Sequence, residues 1–115
     1  MIAIEFASKK LRKQFNEEKE LLKTFGQKRA KRIKVVMTAL RAAHTLGAFA
    51  PPYGPPHRCH ELTGNKKGKL SLDLDGPYRL IIQPINEPLP ERPEGGLDWN
   101  RVTAIKILGV EDTHG

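Results

Sequence analysis

The hydrophobic period of this sequence changes once, and the two sides of the change can only fold as different kinds of element. From residue 8 to residue 46 apolar side chains recur every three or four positions, whereas beyond residue 60 they recur every second position. Between the two lies Ala-Pro-Pro-Tyr-Gly-Pro-Pro, residues 50 to 56. Neither a regular helix nor a central strand tolerates that stretch, because proline fixes φ and removes a backbone donor.

Ahead of the helical part, Ile2, Ile4 and Phe6 alternate with polar or small residues and predict a short strand. Ser8 suits a helix N-cap. Leu11, Phe15, Leu21, Leu22 and Phe25 then follow at helical spacing, and Gly26 suits the end of that first helix. A second helix is predicted from about residue 27 to residue 46. Ile33, Val36, Met37, Leu40 and Ala43 form its apolar stripe, Lys28, Arg29, Lys31, Arg32, Lys34 and Arg41 fill much of the rest, and Gly47 closes it.

Past the proline segment, Leu70, Leu72 and Leu74 alternate with Ser71, Asp73 and Asp75, the pattern of a half-buried strand. Asp75-Gly76 signals a hairpin whose returning strand is 78 to 83, and the polar turn 65 to 68 places another short strand at 59 to 62. Residues 84 to 98, rich in Pro and Gly, are an excursion. Residues 102 to 110 are apolar at nearly every position, which predicts a strand covered on both faces. The expected fold is a single α+β domain over residues 1 to 115: an N-terminal strand and two helices packed on a small, mainly antiparallel sheet of three to four further strands.

Charge narrows the partners. Residues 1 to 82 carry 17 basic and 7 acidic side chains, a net of +10, while residues 83 to 115 carry 3 and 6, a net of −3. A field of that sign attracts polyanions, nucleic acid first among them. Cys59 is the only cysteine, which excludes an internal disulfide and points to the cytoplasm. The N-terminal residues lack the apolar stretch of a signal peptide and no run is long enough to span a membrane, so no membrane partner is expected.

On this scaffold Arg79 falls inside the returning strand, His60 stands just ahead of the basic turn holding Lys66, Lys67 and Lys69, and Asp112 and His114 leave the last strand. If that strand pairs beside 78 to 83, one edge or face collects His60, Arg79, Asp112 and His114. Two imidazoles, with reference pKa values near neutrality, can serve as base and acid in RNA cleavage without a metal, and a guanidinium can stabilise the charge that builds on phosphorus. Read separately, a histidine near a strand end is more often a solvated or hydrogen-bonded side chain than a catalyst, and the lysines are equally a solvated turn. His57, Cys59, His60, Asp112 and His114 could be assembled into a zinc site, but His-x-Cys-His lacks the paired spacing of structural zinc motifs. No phosphate-binding glycine loop or serine elbow is present, and no cofactor is expected.

The segment His-Glu-Leu-Thr-Gly-Asn-Lys-Lys-Gly-Lys-Leu-Ser-Leu-Asp-Leu from His60, then Pro-Tyr-Arg-Leu-Ile from Pro77, then a strand ending in Glu-Asp-Thr-His, resembles the HigB-type toxins of the RelE/ParE superfamily. The resemblance covers most of the chain from about residue 30. It implies a RelE-like fold and the toxin of a type II toxin–antitoxin pair, a ribosome-dependent mRNA endonuclease that inhibits translation. His60 then matches the catalytic histidine, Asp112 and His114 the ends of the C-terminal catalytic triplet, and Arg79 the arginine facing the scissile phosphate. Lys66, Lys67, Lys69 and Arg32 would face RNA, making phosphate contacts rather than reading sequence. The implied partners are a HigA-like helix-turn-helix antitoxin, the ribosome and its mRNA, with operator DNA reached only through the antitoxin complex. Thr113 stands where the family usually has tyrosine, which implies weak cleavage; the 84 to 98 excursion is longer than the family's usual connection, and covering the site, contacting the antitoxin and doing neither are all open for it. A ParE-type inhibitor of gyrase without chemistry, and a weakly active toxin serving mainly as co-repressor, are the alternatives.

Overall fold

The structure is a computed structural model and describes residues 1–112. It is α+β, a five-stranded mixed sheet with helices on one face. The chain forms β1 (Ala3–Phe6), α1 (Lys9–Asn16), α2 (Glu18–Ala42), β2 (His60–Glu61), β3 (Leu70–Asp73), β4 (Tyr78–Pro84) and β5 (Ala104–Asp112). The strand order is β1-β5-β4-β3-β2. β1 runs parallel to β5 and the other three pairings are antiparallel. Because β1 and β2 are opposite edges, the helical segment between them carries the chain across the whole sheet.

Ser8 caps α1 as its sequence predicts, its hydroxyl accepting from the Leu11 amide at 3.0 Å. The first helix does not run unbroken to Gly26, however: Glu17 is extended and splits it. The reason lies in packing. Phe15 meets Phe6 at 5.7 Å and Phe25 at 5.6 Å between ring centroids, both edge to face. In one straight helix residues 15 and 25 would be about 15 Å apart along the axis. At Gly26 the chain doubles back, with φ +80. Glu18 pairs with Lys34 and Arg41 donates to Asn16, contacts that a continuous helix would separate.

The second helix ends at Ala42, earlier than its apolar stripe predicts, because the Ala43 carbonyl accepts from the Ile2 amide at 2.9 Å and ties the helix end to the start of β1. Gly47 lies instead in a 3-10 turn, Leu46–Phe49, where its own amide donates to the Thr45 hydroxyl at 3.1 Å. There it admits Asn100, whose Oδ1 lies 2.0 Å from where a Cβ would stand. Ile33, Val36, Met37 and Leu40 of α2 pack on Leu70, Leu72, Leu80, Ile82, Ile105 and Ile107 of the sheet.

β5 differs from its expected form in bounds and in coverage. It runs from 104 to 112, and only Ile105 and Ile107 are fully buried, so it alternates. A bulge interrupts the alternation: Ile81 faces Gly109 and Ile82 faces Ile107, leaving Leu108 as the extra residue. Gly109 has φ +146, a region that side chains essentially exclude, and a Cβ there would meet no atom within 4 Å. Backbone strain alone should therefore make Gly109→Ala less stable by about 1 to 3 kcal/mol in urea or guanidinium unfolding. A loss below a few tenths would mean that the bulge does not depend on glycine.

Candidate active site

Cross-strand partners share a face of a sheet, so the register states which side chains meet. His60 stands opposite Ser71, Ser71 opposite Ile81, and Ile81 opposite Gly109; two positions along, Asp73 stands opposite Arg79 and Arg79 opposite Glu111. These residues occupy the face away from α2. His60 and Arg79 are thus brought onto one face, as the sequence reading requires. Asp112 is not. Beyond the bulge it stands opposite Tyr78, which packs on the α2 side of the sheet, and Glu111 takes the position beside Arg79. The expected grouping of Asp112 with Arg79 and His60 is corrected by that one-residue change of phase. His114, also expected here, lies outside the described residues.

His60 is half-buried and both of its ring nitrogens are engaged. Nδ1 is 2.8 Å from the Arg58 carbonyl, and since a carbonyl can only accept, Nδ1 carries the proton. Nε2 is 3.3 Å from the Ser71 hydroxyl and, in the neutral ring, accepts from it. The Ser71 hydroxyl is buried, which suits an orienting group rather than a nucleophile. One face of the imidazole is stacked by Tyr53, with centroids 4.2 Å apart and planes 15° from parallel.

The cations on this face are held by acids. Arg79 Nε lies 2.9 Å from Asp73 Oδ1, an ion pair not aligned as a hydrogen bond, and its Nη1 donates to the Gly76 and Tyr78 carbonyls. Arg58 donates to the other Asp73 oxygen at 3.2 Å. Lys66, from the 3-10 turn Gly64–Lys66, pairs with Glu111. From the helix side Arg32 donates to the Asp73 carbonyl at 3.2 Å, and Arg29 pairs with Asp75 at 3.1 Å while lying 3.4 Å over the Tyr78 ring. Four arginines therefore converge on the β3–β4 turn. Of the expected RNA contacts, Lys67 is exposed, Lys66 and Lys69 are half-buried, and Arg32 spends one donor on the strand end.

Ser71, Asp73, Glu111, Arg58 and Tyr53 escaped the sequence reading. For Ser71 and Asp73 a signal existed, since they alternate with the three core leucines and must share a face. Arg58 and Tyr53 had none, because their position depends on the proline-rich segment folding back onto β3. There the His57 carbonyl accepts from the Asp73 amide at 2.7 Å and the Cys59 carbonyl from the Tyr53 amide at 3.1 Å. Tyr53 and Arg58 have φ of 66 and 48, left-handed values that cost a non-glycine residue about 1 to 2 kcal/mol each.

The excursion is pinned on the other side of β2. Buried Trp99 donates its indole N–H to Glu61 at 3.0 Å, and residues 89 to 97 border a groove with the 62 to 68 turn. Burial lowers the pKa of His57, and the nearby Arg32 charge lowers it further. Among the described residues no His, Cys, Asp and Glu side chains group as metal donors, and no helix is long and apolar enough to cross a membrane. No protein-family model and no curated protein matches the sequence.

Cys59, next to His60 in sequence, points the other way into the core. Burial, and then the Glu61 charge, push its thiol up to about 12. A thiolate is the reactive form, so Cys59 is no nucleophile. At pH 8 the folded protein should resist iodoacetamide for hours and be alkylated promptly once unfolded in guanidinium, as mass spectrometry would show. Fast labelling of the folded chain would contradict its burial.

Proposed function

We propose that this chain is a HigB-type toxin of the RelE/ParE superfamily, with a RelE-like fold, that cleaves mRNA on the ribosome by acid–base chemistry. The observation that carries the reading is the placing of His60, Arg79 and Lys66 on one sheet face, beside a turn where arginines gather. In the proposed reaction the 2′-hydroxyl gives up its proton and its oxygen attacks the adjacent phosphorus. The bond from phosphorus to the 5′-oxygen breaks, a proton reaches that oxygen, and the products are a 2′,3′-cyclic phosphate and a 5′-hydroxyl. His60 Nε2, whose lone pair is fixed by the Nδ1–H bond to the Arg58 carbonyl, takes or returns a proton. Arg79 and Lys66 stabilise the charge on phosphorus, and doing so requires substrate to compete with Asp73 and Glu111. His114 is the second proton carrier, as the family resemblance assigns it, and Asp112, on the opposite face, is left out of the chemistry.

Lys67 and Lys69 would hold the phosphate backbone of mRNA or ribosomal RNA in the cytoplasm, and a HigA-like antitoxin would mask the toxin. The same ion pairs favour one competing reading, a stoichiometric inhibitor of ParE type, because the cations around His60 are already neutralised by neighbours. Mapping of mRNA 5′ ends after brief induction separates the two. Wild type should give cuts within translated codons, and His60→Gln and His114→Ala should lower them about 100-fold or more. Growth arrest without cuts would overturn the nuclease and favour the inhibitor.

Asp73 also makes a testable prediction. Asp73→Asn releases Arg58 and Arg79, so the dependence of log affinity for single-stranded RNA on log salt should steepen by about 0.7 per guanidinium released. Anisotropy titrations of a labelled RNA at several salt concentrations would check this. An unchanged slope would show that both guanidiniums stay off the RNA.

A further inference from the structure

Tyr53 is an anomaly on the candidate face. The residue is 56% exposed, so it adds little to the core, yet its backbone is held in the left-handed region. The Pro51–Pro56 segment fixes it there through Tyr53 N–H to the Cys59 carbonyl, with Gly54 N–H to the Pro51 carbonyl and Arg58 N–H to the Gly54 carbonyl closing the loop. Prolines make such a loop stiff before anything binds. The ring lies nearly parallel to the His60 imidazole at 4.2 Å, and the Arg58 guanidinium sits 5.9 Å from its centroid. The imidazole covers one face of the ring and the Arg58 guanidinium lies over the ring at a longer distance, yet the residue remains mostly exposed.

A flat, preorganised aromatic surface beside cations is what unpaired bases bind, since every base presents a π-face and the phosphates flanking it seek positive charge. We propose that Tyr53 is the stacking platform for one unpaired nucleobase of the RNA strand held at His60, making base, Tyr53 and imidazole a continuous stack. The proposal rests on the RNA reading of this face and extends it. It supplies an aromatic at the site, from the proline-rich segment, although residue 113 is threonine. It also accounts for the left-handed backbone at residue 53, because a stiff loop fixes the ring in place before RNA arrives. Tyr53 is a positioning residue here, acting on where the ribose and phosphate lie relative to His60 Nε2.

The test uses the full chain and a short single-stranded RNA made resistant to cleavage by 2′-O-methylation, with 2-aminopurine as the reporter base. Stacking quenches its fluorescence. Wild type and Tyr53→Phe should quench and bind alike, whereas Tyr53→Leu should lose the quench and about tenfold or more in affinity. Since the ring is exposed, melting of the Leu variant should stay near that of wild type, and the Phe variant keeps the test valid if it does not. Quenching by Tyr53→Leu equal to wild type, or no quenching by wild type, would overturn the platform. Because this RNA cannot be cut, quenching that survives while cellular mRNA shows no cuts would uphold the platform and strike only the nuclease reading.

Discussion

β5 joins the two parts of the sheet: Ala104–Ile107 pairs parallel with β1, and Ile105–Asp112 pairs antiparallel with β4, so the direction of its side chains sets what meets the β4 side chains. A strand has a side-chain period of two, and a single inserted residue therefore exchanges its faces. The bulge at Leu108 and Gly109 does this. It keeps Ile105 and Ile107 in the core, then turns Glu111 to the face of Arg79 and Asp112 to the face of Tyr78. The composition of the candidate site is set at that point.

Around the site, electrostatics works at short range and partly out of water. Arg79 and Asp73 keep only 19% and 16% of their side-chain exposure, so their attraction is screened less than that of an exposed pair such as Lys34 with Glu18. Asp73 gathers Arg58 and Arg79 with its carboxylate, and its carbonyl takes Arg32. One acid thereby ties the proline-rich segment, the hairpin and α2 to a single corner. The excess positive charge of the first 82 residues is not only a solvated surface, since part of it is the means by which helix and sheet are joined.

Much of the fold could be read from the sequence. β1, the Asp75-Gly76 hairpin, the Ser8 cap, the helix end at Gly26 and the proline-bounded connection all rest on local backbone chemistry, which neighbouring residues state openly. The break at Glu17 could not be read, because the helical spacing from Leu11 to Phe25 passes through it unaltered. The three-phenylalanine contact that requires the break joins β1 to both helical segments. Gly47 was legible as a helix terminator and acts instead as space for Asn100, a residue 53 positions away in sequence.

The candidate site divides along the same line. His60 and Arg79 were accessible to sequence reasoning because each sits within a strand pattern whose phase fixes its face, and the strands pair as neighbours. Tyr53 and Arg58 come to His60 only when the chain between helix and sheet folds back, and Glu111 replaces Asp112 only because Gly109 lets the ladder slip by one residue. The sequence by itself determined the elements, their order and the strands that carry the candidate histidine and arginine, since propensity, capping and period are properties of a few adjacent residues. Tertiary structure alone decided which acids and aromatics meet them, because register and loop placement are settled by packing between residues far apart in the chain.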